Sequence, residues 1–192
     1  MMVRAINFQI RRLLMILVLL LMAMPGVLAA SDFDSLNITP PKQRLPAPDF
    51  SLPALNGGEL RLSDFRGQLV LLNFWASFCA PCLEEMPALQ HLWDEYRDAG
   101  FVVLAVAADR GSIEPVAAFI ESGDYRFPVV LDVDGEVRNR YEVRALPTSY
   151  LIGADGRFLG RVVGPRDWYT ENYRQLVGDL LSGKPVKGMS IP

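Results

Sequence analysis

Residues 72–87 read "LNFWASFCAPCLEEMP" and hold both cysteines of the 192-residue chain. An uncharged apolar run of strand length, "LVLLNFW" (69–75), leads into Cys79-Ala80-Pro81-Cys82. From Cys82 the apolar residues recur at 82, 86, 89, 93 and 96, the period of a helix running to Tyr96. A buried strand, a turn and a helix are therefore predicted, with the thiols at the junction.

The same alternation extends outward. "FVVLAVAA" (101–108) and "FPVVLD" (127–132) read as further buried strands, with short helices over Pro115 to Ile120 and Glu136 to Tyr141. "TSYLIG" (148–153) and "FLGRVVG" (158–164) flank the turn signal Ala154-Asp155-Gly156-Arg157, and Trp168 to Leu181 reads as a closing helix. Solid apolar strands alternating with helices predict an α/β fold whose central sheet is covered on both faces. Upstream, Asn56-Gly57-Gly58 between short apolar alternations predicts a small hairpin. Residues 31–45, "SDFDSLNITPPKQRL", are polar and aperiodic and are expected to form a linker. Residues 46–182 then form one domain, and 183–192 a mobile tail.

The first 30 residues stand apart. Arg4, Arg11 and Arg12 precede the uncharged stretch "LLMILVLLLMAM" (13–24), followed by Pro25-Gly26 and the small residues Ala29-Ala30-Ser31. A basic start, an apolar core and a small-residue end are the layout of a secretory signal. Cleavage and retention as an anchor both remain open, because Leu13 to Ala30 is near the lower length for spanning a bilayer. Either way the arginines stay inside and the domain is exported, to the periplasm or the outer face of the membrane, with a possible tether through 13–30. Without residues 1–30, 16 Lys and Arg stand against 22 Asp and Glu. That acidic balance offers no basic surface for nucleic acid.

Three chemistries compete for Cys79 and Cys82. A structural zinc site needs four ligands, and the chain adds only His91 to the single pair, so no metal is expected. A structural disulfide gains stability with the size of the loop it closes, and this one would close two residues. Redox exchange fits better. Cys79 would sit at a helix start, whose free N–H groups and dipole favour the thiolate, and Cys82 lies within the first turn as a more shielded partner. Pro81 falls where a helix tolerates proline.

The segment "NFWASFCAPCLEEMP", with "APDFSL" (47–52) before it and "LPTSYLIGADGRFLGRVVG" (146–164) after it, resembles the thioredoxin superfamily. It is most similar to the exported TlpA/ResA/CcmG-like thiol:disulfide oxidoreductases. The resemblance covers roughly 46–182. It implies a thioredoxin fold: a central mixed sheet flanked by helices, with an N-terminal hairpin extension and a central αβ insertion at about 101–123. It also implies that Pro147 is the family's cis-proline, facing the disulfide.

Supporting residues carry paired readings. Asn73 stands where cytoplasmic thioredoxins carry a buried acid, and an amide cannot accept a proton in thiol chemistry. Glu85 matches the acid that tunes the cysteines in ResA-like members; as a plain first-turn acid it would only complement the helix dipole. Trp75 and Phe78 are read as aromatics bordering the site, Glu84 as solvated, Pro87 as a kink, and His91 as a surface residue.

The resemblance implies a protein-disulfide reductase that needs no cofactor and draws electrons from a transmembrane disulfide reductase. Its client classes are apocytochrome c in cytochrome c maturation and copper-site assembly proteins. "APDFSL" also opens peroxiredoxins, but Ala76 occupies the position three residues before Cys79 where a functional Thr would stand. The non-enzymatic alternative is a thioredoxin-fold binding or chaperone module with a merely structural disulfide.

Overall fold

A computed structural model describes residues 32–189, and the expected signal or anchor over 1–30 lies outside the described residues. Among the described residues, seven strands form two sheets. Strands β1 (Ser51–Pro53) and β2 (Glu59–Arg61) make the expected hairpin. The main sheet contains β3 (Leu69–Trp75), β4 (Phe101–Ala107), β5 (Val129–Leu131), β6 (Thr148–Ile152) and β7 (Phe158–Val163), in the order β5-β4-β3-β6-β7. β3 runs parallel to β4 and antiparallel to β6, so the sheet is mixed. Helices α1 (Ala80–Tyr96), α2 (Glu114–Ser122), α3 (Glu136–Arg140) and α4 (Glu171–Leu181) complete the fold. Within the αβ unit expected as an insertion, β4 is an interior strand, paired with β3 at every position from Leu69 to Trp75.

Strand period two divides the core between the faces. Leu69, Leu71 and Trp75 of β3 join one apolar cluster with Cys82, Met86 and Leu89 of α1, while Val70, Leu72 and Phe74 join the other. Every residue of β3 is buried, which is why the run is uniformly apolar except at Asn73.

Both sheet edges are covered, which removes the open strand edges that promote pairing between molecules. Leu55 N–H donates to Val129 at the β5 edge, so the hairpin blocks that side. At β7, Thr39 exchanges backbone hydrogen bonds with Arg161. This corrects the expectation of a linker over 31–45 for its described residues, 32–45. Phe33, Leu36 and Ile38 are buried in the core, and Tyr173 donates to the Leu36 carbonyl at 2.9 Å. The mobile-tail expectation is likewise corrected for 183–189: Val186 is buried, and Lys187 pairs with Asp32 at 3.0 Å. Three apolar side chains spaced through a polar stretch have no helix or strand period, so they escape pattern reading, yet they fill the groove above β7.

Candidate active site

The chain reaches the site along β3, whose C-terminal end delivers Ala76 to Cys79. Asp109, immediately after β4, fixes this loop. Its carboxylate accepts from the Ser77 N–H at 3.0 Å and from the Ser77 hydroxyl. Phe78 is left 74% exposed beside the first cysteine.

Cys79 is the N-cap of α1, in extended conformation, and its carbonyl accepts from the N–H groups of Cys82 and Leu83. The helix thus starts directly after Cys79, as expected, with Pro81 in its first turn. Cys79 and Cys82 are joined as a disulfide with Cα atoms 5.3 Å apart. Cys79 is partly exposed and Cys82 fully buried. The helix continues through Pro87 to Tyr96.

Leu146–Pro147 is a cis peptide bond, and Pro147 is buried directly before β6. Because Thr148 pairs with Phe74 antiparallel, the start of β6 lies at the end of β3 from which the cysteine loop departs. The cis-proline loop and the disulfide therefore occupy one end of the sheet.

Beneath them lies a polar cluster in the apolar layer. Glu85 is 3% exposed, in the second turn of α1, which corrects its reading as a plain first-turn acid. Asn73 Nδ2 donates to its Oε1 at 2.8 Å, while the Arg166 N–H and Trp168 Nε1–H donate to its Oε2, each at 3.1 Å. Burial pushes the Glu85 carboxyl up to about 7, outweighing these hydrogen bonds and the Arg166 charge, which act the other way. Glu85, Glu84, Pro87, His91, Arg166 and Tyr169 line an open groove of about 530 Å³. Trp75 is wholly buried in the apolar cluster that also holds Cys82, its ring 5.6 Å from that of Phe119. His91 is exposed, as expected, with its ring 5.3 Å from Tyr169.

Ser149, Trp168, Ser77 and Asp109 escaped the sequence reading. Ser149 had a signal, being polar within an apolar strand; Asp109 had one at the end of β4. Trp168 had none, because its indole reaches Glu85 from a loop expected to be helical.

The elevated Glu85 carboxyl has a measurable consequence. Its ordinary value is 4.5, so the folded chain binds more protons than the unfolded chain between about 4.5 and 7. The Glu85 contribution to stability is full below that window and is lost as pH rises through 7, about 3 kcal/mol in all. Urea denaturation of the oxidised protein across this range should show that loss, and Glu85→Gln should flatten it. Equal pH slopes for the two proteins would rule Glu85 out as the titrating group.

A disulfide spanning the first turn of a helix, at the same end of a mixed sheet as a cis-proline, defines a thioredoxin-fold thiol-disulfide exchange protein. Residues 44–158 match the AhpC/TSA family, and the chain belongs to that family, among its ResA-like thiol-disulfide oxidoreductases. It is 40% identical over 118 residues to the thiol-disulfide oxidoreductase ResA of Bacillus thuringiensis subsp. konkukian, covering 62% of this chain and 68% of that one. A thiol:disulfide interchange protein DsbE from Chlorobium tepidum superposes with a TM-score of 0.67 at 34% identity, over 73% of this chain and 98% of that one. StoA from Bacillus subtilis superposes with a TM-score of 0.56 at 28% identity, over 65% and 92%. The chain is accordingly an enzyme of thiol-disulfide exchange.

Proposed function

We propose that this enzyme reduces disulfides in partner proteins outside the cytoplasm, with Cys79 as the attacking thiolate and Cys82 as the resolving thiol. The unequal burial of the two cysteines supports these roles, since only Cys79 is reachable by a client. In the reduced enzyme the helix start favours the Cys79 thiolate. That thiolate attacks one client sulfur, and the other leaves as a thiolate. Cys82 then gives up its proton and attacks Cys79 Sγ, releasing the client's second thiolate and closing the Cys79–Cys82 disulfide. Two electrons pass to the client.

Glu85 suits the role of proton acceptor for Cys82, because a carboxyl near 7 exchanges protons at working pH. Asn73 orients it, Pro81 and Trp75 hold the first turn and the layer beneath, and Pro147 shapes the neighbouring loop. Export through residues 1–30, cleaved or kept as a tether, supplies the setting. There the resemblance favours apocytochrome c or copper-site assembly clients and a transmembrane disulfide reductase as electron donor.

The test is capture. Cys82→Ser, expressed in its native host, should stall as a mixed disulfide with clients that dithiothreitol releases. The reduced wild type should in turn reduce a disulfide-bonded peptide bearing a haem-attachment CxxC. Oxidation of the dithiol form of that peptide by the oxidised enzyme, with no reduction in the other direction, would reverse the assignment.

A further inference from the structure

Asn73 and Ser149 face one another across the β3–β6 register, both almost fully buried. Asn73 Nδ2 donates to Glu85 Oε1 at 2.8 Å and to Ser149 Oγ at 3.0 Å. The amide oxygen of Asn73, equally buried, has no hydrogen-bond partner. An unpaired buried acceptor is uncommon and asks for an explanation.

The arrangement suits the Glu85 carboxylate alone. Oε2 already accepts from the Arg166 N–H and the Trp168 indole, which leaves Oε1 as the site for a proton. A proton placed on Oε1 on the side of Asn73 would meet the amide nitrogen, donor against donor. Half a turn of the amide plane exchanges its nitrogen for its oxygen, so that the oxygen faces Glu85 and Ser149 and the Nδ2–H2 takes the unpartnered side. The idle oxygen would then accept from Glu85. Ser149 accommodates both states, because a hydroxyl accepts in one and donates in the other.

We propose that Asn73 and Ser149 form a reversible donor–acceptor pair that turns over with the proton on Glu85, which makes Ser149 a positioning residue for the exchange reaction. This rests on Glu85 as the proton acceptor for Cys82. The proton passes from Cys82 Sγ to Glu85 Oε1, the sulfur keeps the electron pair, and the amide rotation carries no proton of its own. Other charged or titratable groups near Glu85 are Arg166, Tyr173 on α4, and Glu84, His91 and Asp167 along the groove. His91, a second ionisable side chain, lines the same groove as Glu85, so the test uses a His91→Asn background.

The oxidised full chain in detergent is followed by NMR from pH 5 to 9, reading the Glu85 carboxyl carbon and the Asn73 side-chain amide. Both should shift with one midpoint. In Glu85→Gln, which mimics the neutral acid, the amide should keep its low-pH resonances throughout. Ser149→Ala should slow release of the mixed disulfide by about fivefold, the worth of one hydrogen bond, and Ser149→Thr should restore it. A titrating Glu85 beside an unmoved Asn73 amide overturns the pair while sparing Glu85 as acceptor. A Glu85 that does not titrate removes both. Equal losses in Ser149→Ala and Ser149→Thr would mark a packing role and overturn the inference.

Discussion

Cys79→Ser is expected to abolish dithiothreitol-driven insulin reduction, a loss on the order of a thousandfold or more, with the fold retained. The reason is geometric. Cys79 is the helix N-cap and partly exposed, whereas Cys82 is fully buried behind it. A serine hydroxyl at the cap can still accept a helix N–H, so structure should survive while the nucleophile is lost. The disulfide closes only two intervening residues, so its removal should also shift stability little. Cys82→Ser should lose turnover too, yet it should accumulate the mixed disulfide that Cys79→Ser cannot form. Equal insulin reduction by wild type and both variants would defeat the redox assignment and leave a binding module.

Phe33→Ala is expected to destabilise the protein by about 3–5 kcal/mol, the range for emptying a buried aromatic site. Phe33 is fully buried in the same cluster as Leu159 and Val162 of β7. Its segment is tied down by the Thr39–Arg161 backbone pair, the Tyr173 hydroxyl on Leu36 and the Asp32–Lys187 ion pair. Gly160 records the closeness of this packing, since a methyl there would collide with Ile38. Urea denaturation measures the effect. A change below about 1 kcal/mol would mean that 32–39 adds little to the folded unit, as the linker expectation had it.

The redox centre was legible in the sequence because its signals are local. A strand period ends and a helix period begins around Cys79 and Cys82, and proline and helix-end physics act within one turn. The strand limits of β3 and the polar turn between β6 and β7 were legible for the same reason. The Glu85 environment was not. Its partners come from Asn73, Arg166 and Trp168, far apart in the chain, and its elevated carboxyl depends on burial that no local pattern states.

By itself the sequence determined the α/β class, the placement of two thiols at a helix start and their fitness for disulfide exchange, since each depends on residue order over a few turns. Only the tertiary structure decided that 32–39 and Val186 belong to the core, that Trp75 packs inside it, and that Asn73, Arg166 and Trp168 converge on Glu85, with Ser149 behind Asn73. Those outcomes depend on which distant surfaces meet across the sheet. Burial and hydrogen-bond partners are properties of that meeting, and the same side chains in another packing would carry different charges.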